Sequence, residues 1–123
     1  MTRRIVLIED DPDTATLVEE MLREIGHRVE TFVSGAHLED GAGDDQAELV
    51  ITDLVPLRTF ELTIAREWIA RVRAMFPNAA VVVATAHAPA ASAGAAAIDA
   101  DVVLTKPFDV ALFTRAVESV LGA

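Results

Sequence analysis

Cysteine is absent from the 123 residues, so the chain can form no disulfide and offers no thiolate chemistry. That absence suits a reducing compartment such as the cytoplasm, the location expected here. Bases are also scarce: 10 Lys and Arg face 20 Asp and Glu, a formal charge of −10. Such a balance argues against direct nucleic acid binding by this domain, because phosphates would be repelled. Long hydrophobic runs are missing as well. After the basic start Met1-Thr2-Arg3-Arg4, four apolar residues precede Glu9-Asp10-Asp11, too few for a signal core or a membrane span. No repeat, linker or second domain interrupts the chain, and residues 1–123 read as a single domain.

What the chain does have is a hydrophobic content of 52%, enough for a packed core. Short apolar runs that read as buried strands alternate with helical segments. The runs are Ile5-Val6-Leu7-Ile8, Leu49-Val50-Ile51, Val81-Val82-Val83-Ala84 and Val102-Val103-Leu104, with a weaker strand at residues 29–33. This alternation predicts an α/β fold with a parallel sheet and helices on both faces, five strands and five helices in all. The first helix has Asp11 to cap it, Pro12 in its first turn and Gly26 to end it. Leu17, Met21 and Ile25, flanked by Val18 and Leu22, mark its apolar face. Ser34 starts a short second helix, and residues 40–45 read as a loop. Ile64, Trp68, Ile69 and Val72 stripe a third helix closed by Pro77, with Trp68 a core residue. The fourth helix, residues 90–97, has no large apolar side chain before Ile98 and can bury little area. Asp109 caps a last helix with Phe113, Val117 and Val120 facing inward and Leu112, Ala116 and Leu121 beside them.

The polar residues that follow these runs carry the chemistry. Glu9, Asp10, Asp53, Thr85 and Lys106 each sit just past a strand, and ligands of open parallel sheets bind outside the carboxyl ends of the strands. Acids gathered in one pocket raise each other's pKa unless something offsets the repulsion. Mg²⁺ is the natural candidate, since it combines carboxylate oxygens, waters and phosphate oxygens in an octahedral shell. Lys106 supplies a point charge for phosphate, or a salt bridge to the acids. Its neighbour Pro107 invites a cis peptide bond. His27 and His37 lie away from the strand ends, and His87 falls two residues past Thr85.

The segments Ile5 to Pro12, Leu49 to Leu54, Thr85-Ala86 and Thr105-Lys106-Pro107-Phe108 resemble response-regulator receiver domains of two-component signalling. The resemblance spans the chain. It implies a doubly wound, flavodoxin-like sheet of strand order 2-1-3-4-5. It also implies Asp53 as the phosphoacceptor, charged by a sensor histidine kinase, a phosphotransfer protein or a small acyl phosphate. Asp10, Asp53 and the carbonyl of Val55 would ligate Mg²⁺, with Glu9 acting through water. Thr85 would approach the phosphoryl oxygen and Lys106 would pair with it. Such a domain is no ordinary enzyme: it catalyses only its own phosphorylation and dephosphorylation, and it signals through a protein partner; a homodimer is a further candidate assembly.

Three departures from the family pattern stand out. Pro56 follows Asp53 by three residues instead of four, and residues 57–61 lack the usual glycine, which bears on Val55 as a ligand. Val103 replaces the aromatic residue that commonly reports the threonine's movement. With the alanine-rich fourth helix, this predicts an altered output relay in which phosphorylation orders that helix. Two other readings remain: a receiver-like module that works without phosphorylation, and a haloacid-dehalogenase-like phosphohydrolase. The second needs an acid two residues after the nucleophile, where Val55 stands.

Overall fold

The computed structural model describes residues 4–32, 46–53, 62–85, 94–106 and 109–121. Five parallel strands, β1 (Arg4–Ile8), β2 (Arg28–Phe32), β3 (Leu49–Thr52), β4 (Ala80–Thr85) and β5 (Val102–Thr105), form one sheet of order β2-β1-β3-β4-β5. The chain starts one strand in from an edge, moves to that edge, then crosses back and continues to the other. The expected flavodoxin-like order is therefore present. β1, β3 and β4 are buried on both faces, whereas the edge strands β2 and β5 are only partly covered. That burial explains why the central runs are continuously apolar instead of alternating.

Four helices are seen among the described residues: α1 (Pro12–Glu24), α2 (Leu62–Met75), α3 (Ala95–Ile98) and α4 (Val110–Leu121). Ala15, Val18, Met21 and Leu22 of α1, with Phe113 and Val117 of α4, pack against Ile5, Leu7, Leu49, Ile51, Val82 and Ala84. Ala65, Trp68, Ile69 and Val72 of α2, with Ile98 of α3, cover Val6, Ile8, Val50, Val81 and Val83 on the other face. The period of two along each strand sends its apolar residues alternately to these two cores.

Local signals explain the helix ends. The Asp11 side chain accepts from Thr14 N, and Pro12 occupies the first turn. At the other end His27 N donates to Leu22 O and Gly26 N to Arg23 O, with Gly26 at φ +90°. This is a paired C-terminal closure that needs a left-handed residue, supplied most cheaply by glycine. Asp109 Oδ1 accepts from Leu112 N at 3.1 Å and caps α4.

Several sequence expectations are corrected. Leu17 is 46% exposed: the buried stripe runs through Ala15, Val18 and Leu22, and Leu17 lies off its margin. Ile64 and Leu112 are exposed for the same reason, while Phe113 and Val117 are fully buried as expected. Gly94 precedes α3 at φ +84° instead of lying inside the helix, and the helix runs on to include Ile98. The expected helix at Ser34, the loop at residues 40–45, His37, His87, residues 90–93 and the Lys106-Pro107 bond's proline lie outside the described residues.

Candidate functional site at the carboxyl edge of the sheet

The site is built by continuing the sheet's hydrogen bonding beyond its last apolar residues. Glu9 N donates to Phe32 O at 3.1 Å, Asp53 N to Ile8 O at 3.0 Å, and Lys106 N to Thr85 O at 2.9 Å. These bonds fix the main chain where each polar residue leaves its strand. Glu9 and Asp53 follow β1 and β3, which are neighbours, so their side chains meet at the same edge.

Glu9, Asp10 and Asp53 each present a carboxylate oxygen, and these three atoms lie within 4.8 Å of one another. Glu9 is 2% exposed, Asp53 is half-buried and Asp10 is open to solvent. Lys106 closes the group. Its Nζ lies 2.5 Å from Glu9 Oε1 and 3.0 Å from Asp53 Oδ2. Burial raises the pKa of Glu9 and Asp53's charge adds to that, while the hydrogen bond and charge of Lys106 oppose it. Burial also works against the Lys106 ammonium, but hydrogen bonds to Glu9 and Asp53 outweigh it and hold the pKa above its ordinary value. Asp11 stands apart. Its carboxylate accepts from the Thr14 hydroxyl and main chain, which lowers its pKa, and it serves as the cap the sequence suggests.

Thr85 ends β4 with its side chain fully buried, and its main chain pairs with Thr105 and Lys106. Four of the candidate residues, Glu9, Asp10, Asp53 and Lys106, thus form one cluster, and Thr85 lies on the adjoining strand end. Val55 falls outside the described residues. His27 lies just before β2, away from this edge, and its main-chain N–H donates to Leu22 O at the end of α1. Val103 is half-buried and packs against the α2 and α3 core.

The donor set fits a hard divalent cation. The three candidates among the described residues are carboxylates, and oxygen donors spread over less than 5 Å need only small adjustments to surround an ion with bonds of about 2.1 Å. The Lys106 ammonium supplies positive charge to two of the three, Glu9 and Asp53.

Sequence reasoning missed Thr52. Its hydroxyl is fully buried, accepts from Trp68 Nε1 at 3.0 Å and donates to Asp53 O at 2.7 Å. The available signal was a hydroxyl ending an apolar strand immediately before Asp53, together with an indole on the following helix.

Comparison with known proteins agrees with this architecture. The family model for the response regulator receiver domain matches residues 5–118, and the chain belongs to that family. A response regulator receiver protein from Burkholderia phymatum is similar at 28% identity and TM-score 0.76, over 98% of this chain and 95% of that one. The response regulator protein TrrA from Thermotoga maritima, solved in complex with Mg²⁺–BeF, is 25% identical at TM-score 0.74, over 97% and 99%. The receiver domain of a sensor histidine kinase from Pseudomonas aeruginosa, with magnesium coordinated in its active site cleft, shares the fold at 23% identity and TM-score 0.74, over the full length of both chains. Comparison with curated proteins gives no match. The protein is thus a receiver domain of the two-component type. No described helix is long and apolar enough to cross a membrane.

Proposed function

We propose that this receiver domain accepts a phosphoryl group on Asp53, in a Mg²⁺-dependent reaction, from a histidine kinase, a phosphotransfer protein or a small acyl phosphate, and signals through a protein partner. The observation that carries this reading is the meeting of Glu9, Asp10 and Asp53 with Lys106 at the carboxyl edge. Asp53 would attack phosphorus through a carboxylate oxygen. The P–N or P–O bond to the donor breaks, and its electron pair leaves with the donor. An in-line carboxylate nucleophile needs positive charge to offset the phosphoryl oxygens in the transition state. Lys106, which donates a hydrogen bond to Asp53, would supply part of it.

Asp10 and Asp53 would hold Mg²⁺ directly and Glu9 through water, with the Val55 carbonyl as the third protein ligand. Bound there, the ion neutralises carboxylate repulsion and polarises the transferring group. Thr85 would donate its hydroxyl to a phosphoryl oxygen. Cytoplasmic location and a kinase and output partner follow from this reading.

Intact-mass analysis after incubation with acetyl phosphate tests the proposal. Wild type gains one phosphoryl group with Mg²⁺ and none with chelator, and Asp53→Asn gains none in either case. An unmodified wild type, under conditions that label another receiver domain, favours the module that works without phosphorylation.

A further inference from the structure

The chain's one tryptophan lies on the side of α2 that faces the sheet, and its polar atom points toward the end of β3. Thr52 occupies the last position of that strand and is fully buried. Valine would fill nearly the same shape without a hydroxyl, and a buried hydroxyl is costly unless its hydrogen bonds are made. Here they are made in a single direction. Trp68 Nε1 can only donate, and it gives its proton to Thr52 Oγ1 at 3.0 Å; Thr52 passes its own to Asp53 O at 2.7 Å. The orientation of the Thr52 hydroxyl is thereby fixed. Asp53 N in turn donates to Ile8 O at 3.0 Å. Both main-chain polar groups of Asp53 are therefore held, the amide by β1 and the carbonyl by a chain that begins on α2.

We infer that Thr52 and Trp68 are positioning residues that aim the Asp53 carboxylate by fixing its main chain. Neither residue touches the reacting atoms. With the peptide groups on both sides of Asp53 restrained, its Cα–Cβ direction is set, and the carboxylate is presented to Lys106 at 3.0 Å and to the oxygens of Glu9 and Asp10. Nucleophilic displacement is sensitive to such placement, because a shift of about 1 Å at the attacking atom can cost up to roughly a hundredfold in rate. Trp68 thus has two uses: its ring fills the core under α2, and its N–H ties that core to the nucleophile's strand end.

The inference rests on the reading of Asp53 as the phosphoacceptor, so the test includes a measurement that does not depend on phosphorylation. Thr52→Val, Thr52→Ser, Trp68→Phe and the double variant Thr52→Val with Trp68→Phe are compared in two ways. One is the rate of labelling by acetyl phosphate at saturating Mg²⁺, per folded molecule. The other is the Mg²⁺ dissociation constant from calorimetry. Thr52→Val is expected to slow labelling about tenfold and to weaken Mg²⁺ binding about threefold, through misaimed carboxylate oxygens. Thr52→Ser keeps the hydroxyl and stays near wild type. Trp68→Phe moves both quantities in the same direction as Thr52→Val, and the double variant is no slower than Thr52→Val alone, because the two residues act as one chain. A purely structural role would shift the urea midpoint and leave both quantities unchanged per folded molecule. If Thr52→Val does not fold, Trp68→Phe carries the same comparison. Wild-type labelling and Mg²⁺ affinity in the folded variant overturn the inference. Should wild type bind Mg²⁺ but take no label, the proposed function fails, and the Mg²⁺ constants alone decide the positioning role. A wild type that does neither overturns both.

Discussion

Along β1, Ile5, Val6, Leu7 and Ile8 are apolar and at most 2% exposed, and the next residue, Glu9, is equally buried but carries a carboxylate. β3 repeats the contrast: Leu49, Val50 and Ile51 are fully buried and apolar, then come a buried hydroxyl at Thr52 and a half-buried acid at Asp53. The strand interiors favour folding through removal of apolar surface from water. Their carboxyl ends oppose it at Glu9, where burial and the neighbouring charge of Asp53 disfavour the ionised carboxylate and raise its pKa. Two adjacent stretches of one strand thus differ in what they contribute. The interior holds the sheet together, and the end holds a destabilising arrangement that a cation or a phosphoryl group can exploit.

The sharpest way to break this comparison is to substitute one residue within β3 and one just past its end. Ile51→Ala removes a fully buried side chain between the sheet and α1 and should lower stability by about 2–5 kcal/mol in urea denaturation. Asp53→Asn, two residues on, should cost little or even stabilise the metal-free protein while abolishing Mg²⁺-dependent labelling. Equal losses from both substitutions would show that the strand end contributes to folding as the interior does.

Lys106 offers the next largest effect. In the metal-free protein Lys106→Ala leaves Glu9 and Asp53 without their ammonium partner and should lower stability by about 1–3 kcal/mol. The same change should strengthen Mg²⁺ binding, because the ion then meets less competing charge. Calorimetry and urea titration in parallel check both signs. A variant with weaker Mg²⁺ binding would show that Lys106 arranges the acids more than it compensates them.

The same residue also gives a pH signature. Lys106 is the only lysine, and the chain has neither tyrosine nor cysteine. Its pKa is raised by folding above the ordinary 10.5. A raised folded-state value means that its contribution to stability is complete below the unfolded pKa and is lost as pH rises through the folded one. The urea midpoint of the metal-free protein should therefore fall as pH climbs above 10.5, and that of Lys106→Ala should fall much less. Parallel pH profiles would contradict the assignment.

The smallest effect concerns α3. This helix spans Ala95–Ile98 and buries only Ile98, whereas α2 buries Ala65, Trp68, Ile69 and Val72 over fourteen residues. With so little anchoring, local opening should be cheap. Arg73 reaches across from α2 to hold its end, donating to Asp99 O through Nε at 3.1 Å and Nη2 at 2.7 Å. Amide exchange at residues 95–98 should be fast in the metal-free protein and slow when Mg²⁺ and beryllofluoride are added. Strong protection that does not respond, with the mimic shown to be bound, would refute an ordering role for this helix.

How much of this was legible in the sequence follows from the range of the forces involved. The strand runs, the Asp11 and Asp109 caps and the Gly26 closure are local, and each could be read from neighbouring residues. Glu9, Asp53 and Lys106 could be grouped because a parallel sheet sends all strand ends to one edge. Leu17, Ile64 and Leu112 were placed too deep, because a helix stripe's margin depends on where the partner helix lies, which sequence spacing does not define. The Thr52 hydroxyl was missed because its use depends on Trp68, sixteen residues away on another element. The Arg73 clamp on Asp99 spans twenty-six residues and left no local trace.

The central claim is that chemistry belongs to Asp53, the residue just past β3, and the most direct test is to locate the phosphoryl group. The protein is treated with acetyl phosphate and Mg²⁺, and the acyl phosphate is reduced with borohydride, which converts a phosphorylated aspartate to homoserine. Peptide sequencing by mass spectrometry then places the change. The account predicts homoserine at position 53 and nowhere else. Reduction at Asp10 or Glu9, or none at any carboxylate in a protein that binds Mg²⁺, would contradict it.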